Sequence, residues 1–316
     1  MNDMNFEQAR EIVNNILKEI SKAYVGKKEL VELAVATLFS GGHLLIEGYP
    51  GTGKTLLAKL LAKVIGGKYK RIQGHPDVLP SDIIGFHVYR LDGTKVYIPG
   101  PVFSNILFID ELNRISTRSQ SALLEAMQEK QVTVDGETYQ LQKPFLVIAT
   151  SIPFPMARGA FQVMETLVDR FSANVLSTYN KFDEELEIID KADIIMNLPV
   201  DTVTTLVEVV DVVNSIHRLV YVEKNIKEYS VAIVSNLRSD ERVEYGPSHR
   251  ATVDLLRLSR VIALMDNRNY VIPDDIKKVA VPVIAHRVKI KAEYESEGYT
   301  GNSLVEEALR KVAVPR

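Results

Sequence analysis

The feature that most constrains the fold of this chain is one loop together with its two flanks. The loop reads Gly48-Tyr49-Pro50-Gly51-Thr52-Gly53-Lys54-Thr55 and matches the pattern GxxxxGK[ST]. The apolar run 43–47 before it is typical of a short buried strand, and the apolar spacing of residues 56–65 after it is typical of a helix. A strand, this pattern and a helix in that order predict a phosphate-binding loop, in which backbone N–H groups and the helix N-terminus hold phosphate oxygens.

The residues of this loop are the predicted contacts of a nucleotide. Lys54 is expected to reach the β- and γ-phosphates, and the Thr55 hydroxyl is expected to ligate Mg²⁺. The full set of predicted contacts is Gly48, Tyr49, Pro50, Gly51, Thr52, Gly53, Lys54, Thr55 and Leu56.

A second stretch supplies two acids. The apolar residues 106–109 lead directly into Asp110 and Glu111, as in a buried strand that delivers carboxylates to the loop at its carboxyl end. Asp110 is predicted to hold the water shell of Mg²⁺, and Glu111 to orient or deprotonate the attacking water. An apolar strand that ends in Asp-Glu is common, so the prediction rests on its pairing with the loop.

Candidate strands alternate with helices as far as residue 180, which predicts an α/β domain over 1–180. Its parallel five-stranded sheet is expected to be covered by helices on both faces. The candidate strands are 43–47, 69–73, 106–109, 145–150 and 173–177. Over 183–316 the apolar residues follow a helical period alone, which predicts a second, helical domain with its own core.

Shorter sequence patterns predict local elements within the first domain. Two Asp-Gly turns predict β-hairpins at 88–98 and 132–139. Thr117 and Gln120 have the spacing of a capping box at a helix N-terminus. Residues 154–160 are predicted to form a loop.

Composition excludes several classes of protein. The net charge of −3 argues against a chain that coats nucleic acid, and the absence of cysteine excludes disulfides and thiolate metal sites. No apolar run is long enough to span a membrane, and residues 1–5 lack the signature of a signal peptide. A cytoplasmic location is therefore expected.

Several longer motifs resemble the MoxR family of AAA+ ATPases, and the resemblance covers nearly the whole chain. The motifs are Asp110-Glu111-Leu112-Asn113-Arg114, residues 119–129, 79–85 and 100–103, Asp169-Arg170-Phe171, residues 246–251 and 273–275, and His286-Arg287. The resemblance implies a P-loop AAA+ sheet followed by an all-helical lid domain at 183–316. It also implies that 74–103 is the helix-2 insert and 131–142 the hairpin that precedes sensor 1.

The same resemblance implies how the protein works. The expected ligands are ATP and Mg²⁺, and the expected assembly is a homo-oligomeric ring, a hexamer. Arg170 is placed like the arginine finger, which enters the γ-phosphate site of the neighbouring subunit, and Arg250 resembles sensor 2, which contacts the γ-phosphate in its own subunit. The implied role is chaperone-like remodelling of protein complexes or metal-cofactor maturation, with a von Willebrand factor A domain protein as partner and the client left open.

Two departures from the family pattern bear on activity. The family usually has Ala-Thr-Gln-Asn-Pro where this chain has Ala-Thr-Ser-Ile-Pro at 149–153, so Ile152 replaces the hydrogen-bonding sensor-1 asparagine. Strand alternation makes Thr150 the expected substitute. Residues 163–167 also differ from the family pattern, which bears on how Arg170 is presented.

Two alternatives to a remodelling ATPase remain, of which the first follows from the replacement at Ile152 and the second from the hairpins. One is a nucleotide-controlled switch or scaffold that binds ATP and hydrolyses it very slowly. The other is a DNA-remodelling motor, supported by Arg90 and Lys95 near Tyr89 and Tyr97 in the first hairpin, although a solvated hairpin is the commoner meaning of that pattern.

Overall fold

The computed structural model describes residues 4–152, 160–195, 197 and 199–315. The predicted loop 154–160 lies outside the described residues except for Ala160. The α-helices are α1 (Phe6–Ser21), α2 (Lys28–Phe39), α3 (Lys54–Val64), α4 (Pro80–Ile84), α5 (Thr117–Gln120), α6 (Ala122–Glu129), α7 (Glu165–Val168), α8 (Phe182–Asp190), α9 (Ala192–Ile195), α10 (Leu206–Leu219), α11 (Lys224–Arg238), α12 (His249–Met265), α13 (Pro273–Ile284), α14 (Ala292–Ser296) and α15 (Gly301–Lys311).

Short 3₁₀ helices span Leu112–Arg114 and Ala285–Arg287. The strands are β1 (Leu44–Gly48), β2 (Tyr69–Gln73), β3 (Gly85–Tyr89), β4 (Lys95–Pro99), β5 (Ile106–Asp110), β6 (Gln131–Val134), β7 (Glu137–Gln140), β8 (Leu146–Ser151), β9 (Ala173–Ser177), β10 (Val243–Tyr245) and β11 (Lys289–Ile290).

A five-stranded sheet in the order β2-β5-β8-β1-β9 forms the centre of the molecule. All of its pairings are parallel, which confirms the predicted sheet. Because the strands are parallel, they all end at one edge, the carboxyl edge, where β1 and β5 reach Gly48 and Asp110. They all begin at the opposite edge, the amino edge, where β1 and β9 start at Leu44 and Ala173. A strand of this length separates the two edges by roughly 15 Å.

Each face of the sheet packs against a different set of helices. Side chains alternate along β1, so Leu44 and Ile46 belong to one buried cluster and Leu45 to another. The first cluster takes in α1, α2 and α3 and continues into α10–α13 and α15. The second cluster lies under α4 and α6.

The helical C-terminal region therefore lacks the separate core that its sequence predicts. Its buried residues Leu255 and Leu258 belong to the same cluster as Val13 and Ile16 of α1, because the apolar faces of α1 and α2 are covered by α10 and α12. The described part of this region is helical apart from one antiparallel pair of strands, β10 and β11. These strands are too short for an alternating apolar pattern to be recognised in the sequence. The boundary between domains at 180–183 stays a prediction.

The two hairpins form as predicted, with β3 antiparallel to β4 and β6 antiparallel to β7. The predicted capping box is wrong, because Ser116 rather than Thr117 precedes the first turn of α5. Gln120 is instead buried, where its amide donates to Ile115 O (2.9 Å) and accepts from Met164 N (2.9 Å). In the part of the chain that is described, no helix is long and apolar enough to cross a membrane.

Candidate functional site

The carboxyl edge holds a cavity of about 370 Å³ that joins the loop to the ends of β5 and β8. Its lining residues are Gly48, Pro50, Gly51, Thr52, Gly53, Lys54, Thr55, Leu56, Asp110, Glu111, Thr150, Ser151 and Ile152. The fold thus brings the predicted loop and both predicted acids together. Of the predicted contacts, Tyr49 does not line the cavity, because its ring stacks on Tyr179 with centroids 5.1 Å apart.

The backbone of the loop is shaped to receive an anion. Gly51 and Gly53 have φ angles of +77° and +82°, which glycine adopts without strain. Helix α3 begins directly afterwards at Lys54 and has no side-chain cap on its first-turn N–H groups. Uncapped N–H groups at a helix N-terminus bind phosphate well, so the loop fits a nucleotide phosphate.

Lys54 lies folded over this loop. Its ammonium donates to Tyr49 O (2.6 Å), Gly48 O (3.2 Å) and Thr52 Oγ1 (3.2 Å). Burial lowers the pKa of Lys54, while the negative charges of Asp110 and Glu111 act in the opposite direction. The cation is thus held at the cavity by backbone carbonyls and faces the two acids.

A second lysine beneath the loop was not predicted. The Lys27 ammonium donates to Thr52 O (2.9 Å) and Ser177 Oγ (3.3 Å), which ties the loop to the end of β9. Lys27 has a left-handed backbone with φ +46°, and burial and then the charge of Lys54 lower its pKa. The sequence gives only one signal for this role of Lys27, its position directly after Gly26. By itself, a basic residue after a glycine indicates a turn.

The acids at the end of β5 are fixed by a short hydrogen-bond chain. Thr150 Oγ1 donates to Asp110 Oδ1 (2.8 Å) and accepts from Glu111 N (2.8 Å). Asp110 Oδ2 pairs with Arg71 on β2 at 2.6 Å, a partner that the sequence did not reveal. Glu111 has φ +58°, and its Oε2 pairs with Arg114 Nε at 2.9 Å.

The replacement at sensor 1 can now be described. Thr150 lines the cavity, but its hydroxyl hydrogen is already given to Asp110, so it orients the acids. The Ile152 side chain lines the same cavity and offers no hydrogen bond, while its carbonyl accepts from Asn113 Nδ2 (3.1 Å). Thr150 as a direct substitute for the asparagine stays a prediction.

The ligands predicted for Mg²⁺ share the cavity. Thr55 and Asp110 both line it and offer only oxygen atoms, the donors that Mg²⁺ prefers. Each Asp110 oxygen has one protein partner, Thr150 or Arg71, and a carboxylate oxygen can accept more than one. The residues present therefore fit the ion.

The predicted arginine finger and sensor 2 lie at the amino edge. Arg170 precedes β9 and donates to Thr166 O. Arg250, in the first turn of α12, donates to Asp169 Oδ2 (2.7 Å) and Gln128 Oε1 (3.0 Å). Both arginines line a second cavity of about 370 Å³, which does not include the loop.

This placement differs from the prediction for Arg250. Sensor 2 was expected to contact the γ-phosphate in its own subunit, but Arg250 is held by Asp169 at the edge opposite the loop. The cause is the way α12 packs against the segment before β9, where Ser248 at the start of that helix also donates to Asp169 Oδ1 (2.6 Å). In this structure Arg250 and Arg170 form one site, and Lys54 belongs to another.

A buried cation of the helical region fixes the segment that carries Arg170. The side chain of Arg287 is 1% exposed, and its guanidinium donates to Asp169 O and Phe171 O at 2.9 Å each and to Asp254 Oδ2 at 2.7 Å. His286 Nε2 also contacts Phe171 O at 2.9 Å, and burial together with Arg287 lowers the pKa of His286 to about 3. The backbone on both sides of Arg170 is therefore held by groups after residue 280.

Two of the four residues that suggested a DNA motor are engaged within the protein. Lys95 pairs with Glu137 of the second hairpin at 2.9 Å. Tyr97 stacks on Tyr139, with ring centroids 4.0 Å apart and planes 11° apart. These contacts join the two hairpins, whereas Tyr89 and Arg90 remain exposed.

Comparison with known proteins identifies the fold and the family. A profile described as "ATPase family associated with various cellular activities (AAA)" matches residues 43–173, and one described as "AAA lid domain" matches 235–308. The chain is 37% identical, over 98% of its length and 97% of the relative, to the uncharacterized protein YeaC of Bacillus subtilis. It is 34% identical, over 94% of its length and 81% of the relative, to Chaperone MoxR1 of Mycobacterium tuberculosis. The chain belongs to the MoxR family of AAA+ ATPases.

A solved structure supports the same conclusion. The crystal structure of a candidate ATPase from Cytophaga hutchinsonii superposes with a TM-score of 0.90 at 35% identity, covering 98% of this chain and 97% of the other. The MoxR resemblance seen in the motifs and the AAA+ fold are thus confirmed. Family membership implies nucleotide binding.

Proposed function

We propose that the chain is a Mg²⁺-dependent ATPase that works as a homo-oligomeric ring, a hexamer, with each active site completed by the next subunit. The observation that carries this proposal is the division of the site residues between two edges of one sheet. Lys54, Asp110 and Glu111 meet at the carboxyl edge, whereas Arg170 and Arg250 meet at the amino edge. A strand's length separates the two sets, so the arginines of one chain are placed to serve another chain's phosphates.

The residues of the carboxyl edge have separate tasks in this proposal. The N–H groups at the start of α3 and the Lys54 ammonium bind the phosphates of ATP. Thr55 and Asp110 hold Mg²⁺, which offsets phosphate charge when it is bound. Arg114 and Gln73 both approach Oε2 of Glu111, so we assign Oε1 as the atom that takes the proton of the attacking water.

The amino edge supplies positive charge where negative charge develops during phosphoryl transfer. We assign this role to Arg170 and, in revision of the sequence prediction, also to Arg250 acting on the neighbour. The Asp169 carboxylate pairs with Arg250 and fixes its position, while Arg287 fixes the backbone on either side of Arg170.

Turnover measurements test the catalytic assignment. Lys54→Ala should lose ATP binding and turnover, and Glu111→Gln should lose turnover while it still binds ATP. Equal turnover in wild type and both variants would refute the site.

Mixing inactive variants tests whether the site is shared. Arg170→Ala has an intact loop, and Lys54→Ala has an intact arginine, so mixed rings contain some complete sites and should recover part of the activity. The matched control mixes Arg170→Ala with the double variant Lys54→Ala/Arg170→Ala, which should recover nothing. If Arg170 served its own subunit, both mixtures would stay inactive.

The proposed cellular role is remodelling of protein complexes or metal-cofactor maturation in the cytoplasm, with a von Willebrand factor A domain protein as partner. One relative is named a chaperone, which supports the chaperone-like part of this proposal. ATP-dependent capture of such a protein by Glu111→Gln, and its absence with Lys54→Ala, is the expected result. Capture that is equal with both variants would count against a nucleotide-controlled partner.

A second candidate function, a nucleotide-controlled switch with very slow hydrolysis, is favoured by one observation. Ile152 lines the cavity without a polar group, and Thr150 has given its hydrogen to Asp110. In that case ATP controls assembly, and hydrolysis only resets it. ATP-dependent ring formation with turnover that is barely measurable would support the switch over the motor.

A further inference from the structure

An unusual pair of basic side chains lies beside the amino-edge arginines. Lys130, between α6 and β6, has a left-handed backbone with φ +56° and lines the same cavity as Arg170 and Arg250. Its Nζ lies 2.7 Å from His43 Nε2 and 2.9 Å from Met127 O. Nothing in the proposed chemistry so far uses this pair.

The hydrogen-bond network decides which nitrogen carries the shared hydrogen. The backbone N–H of Val147 donates to His43 Nδ1 at 2.9 Å, so Nδ1 presents a lone pair. Burial holds the pKa of His43 well below its usual range, so the ring is neutral, and because Nδ1 accepts a hydrogen bond its hydrogen is on Nε2. That Nε2 also lies 3.0 Å from Met127 O, which a protonated Nε2 can reach as a donor.

A nitrogen–nitrogen contact of 2.7 Å requires a lone pair on one partner. Because the hydrogen is assigned to His43 Nε2, the lone pair belongs to Lys130 Nζ. The contact is therefore that of the neutral-amine form, which becomes the major form of Lys130 above its pKa of about 8. Lys130 Nζ also lies over the Phe145 ring, 5.6 Å from its centroid.

The surroundings explain why the amine loses its proton near pH 8. Burial, and after it the charges of Lys143 and Arg257, lower the pKa of Lys130 to about 8. Arg170, His249 and Arg250 also line the cavity. The acids near it are committed elsewhere: Asp254 pairs with Arg287 at 2.7 Å, and Asp169 pairs with Arg250 at 2.7 Å.

We propose that Lys130 is a further residue of the shared active site, and that it takes up a proton from solvent when the phosphate end of a neighbour's nucleotide enters the amino-edge cavity. The inference rests on the proposed ring function. An entering polyphosphate supplies the negative charge that this cavity lacks, which makes the ammonium form of Lys130 favourable. Near and above pH 8, formation of an ATP-loaded ring is then coupled to proton uptake at Lys130 Nζ, and no covalent bond is made or broken.

Chemical reactivity measures the proton directly and does not depend on turnover. Trace labelling with acetic anhydride across pH, read by mass spectrometry, gives the midpoint at which Lys130 becomes a nucleophile. Lys224, whose side chain is 88% exposed, is the reference in the same digest. In the chain without nucleotide, Lys130 should react from a lower pH than Lys224, and in the Glu111→Gln ring with ATP its midpoint should rise by at least about one pH unit.

Two results of the labelling experiment would overturn the inference. One is a Lys130 midpoint equal to that of Lys224 without nucleotide. The other is the same Lys130 midpoint with and without ATP in an assembled ring. Both can be obtained even if the wild type does not hydrolyse ATP, so failure of the proposed function and failure of this inference remain distinguishable.

The pH profile of turnover tests the role of the charge. Wild-type kcat/KM for ATP, which reports the pKa of the nucleotide-free enzyme, should decline above about pH 8, and Lys130→Arg, which keeps its charge, should lose that alkaline decline. Lys130→Met, of similar size, should reduce kcat/KM roughly 10²-fold below about pH 8 and less at higher pH, without reducing ATP binding to the loop. An unchanged alkaline decline in Lys130→Arg, with a melting temperature like that of wild type, contradicts the proposal.

Discussion

The two edges of the central sheet use opposite means to handle charge. At the carboxyl edge mainly backbone groups position the charges: Gly51 and Gly53 shape the loop, and carbonyl groups hold Lys54. At the amino edge side chains contribute more, because Arg250, Arg287 and Lys130 are positioned by carboxylates, carbonyls and a histidine. The carboxyl edge faces a cavity with two acids and room for phosphates, whereas the amino edge holds an excess of cations. Each edge has what the other lacks, and the proposed ring of identical chains requires this complementarity.

Removing the Arg170 guanidinium from the amino edge should have the largest effect on turnover. Arg170→Ala should reduce turnover by about 10³-fold or more, because an arginine that stabilises transition-state charge contributes on that scale. ATP binding to the dispersed chain should not change, since Arg170 is remote from the loop. Fluorescent-nucleotide titration beside turnover separates the two. A loss of ATP affinity as large as the loss of turnover would contradict the separate roles of the two edges.

Restoring a polar group at the carboxyl edge should have the next largest effect. Ile152→Asn should raise turnover by roughly 10²-fold, because one positioned hydrogen-bond donor contributes on that scale. Ile152→Val, which keeps an apolar group, is the control and should leave turnover near the wild-type level. If the asparagine variant is no faster, the missing sensor-1 amide does not limit the rate, and the slow-switch candidate loses its main support.

The buried lysine of the amino edge should lower the stability of the folded chain at neutral pH. Burying a cation that lowers the pKa of Lys130 from 10.5 to about 8 costs about 3 kcal/mol. The cost is fully present below pH 8 and disappears as pH rises to 10.5, because the unfolded chain binds more protons in that window. Lys130→Met should therefore unfold at higher urea concentration than wild type at pH 7, and the gap should close by about pH 10.5. A gap that is constant with pH would show that the lysine is not buried as a cation.

The smallest effect is expected from the lysine beneath the loop. Lys27→Met removes the bond to Thr52 O and should raise KM for ATP about tenfold with little change in kcat, since it loosens the loop without touching the acids. Lys28→Met is the control, because the Lys28 side chain is 89% exposed. A change in kcat alone would instead place Lys27 among the groups that act in the transition state.

Much of the fold could be predicted because its signals are local. The loop, the acids after β5 and the five strands each depend on residues within one short segment, where periodicity and glycine placement suffice. Arg71, Lys27 and Thr150 show the limit of such signals, because each acts on a residue far away in the sequence. Thr150 was expected to substitute for a lost sensor, and only its hydrogen bonds to Asp110 and Glu111 show that it orients the acids.

Sequence by itself therefore determined which chemistry the chain carries: a phosphate loop, two acids and a pair of arginines in the MoxR pattern. Tertiary structure alone decided on which edge each group lies. Because the strands are parallel, the residues directly after β1 and β5 lie at the carboxyl edge and those directly before β9 lie at the amino edge. The packing of α12 against the segment before β9 places Arg250 at the amino edge as well. The physical reason is that side-chain type is set residue by residue, whereas the position of a charge depends on how distant helices share one core.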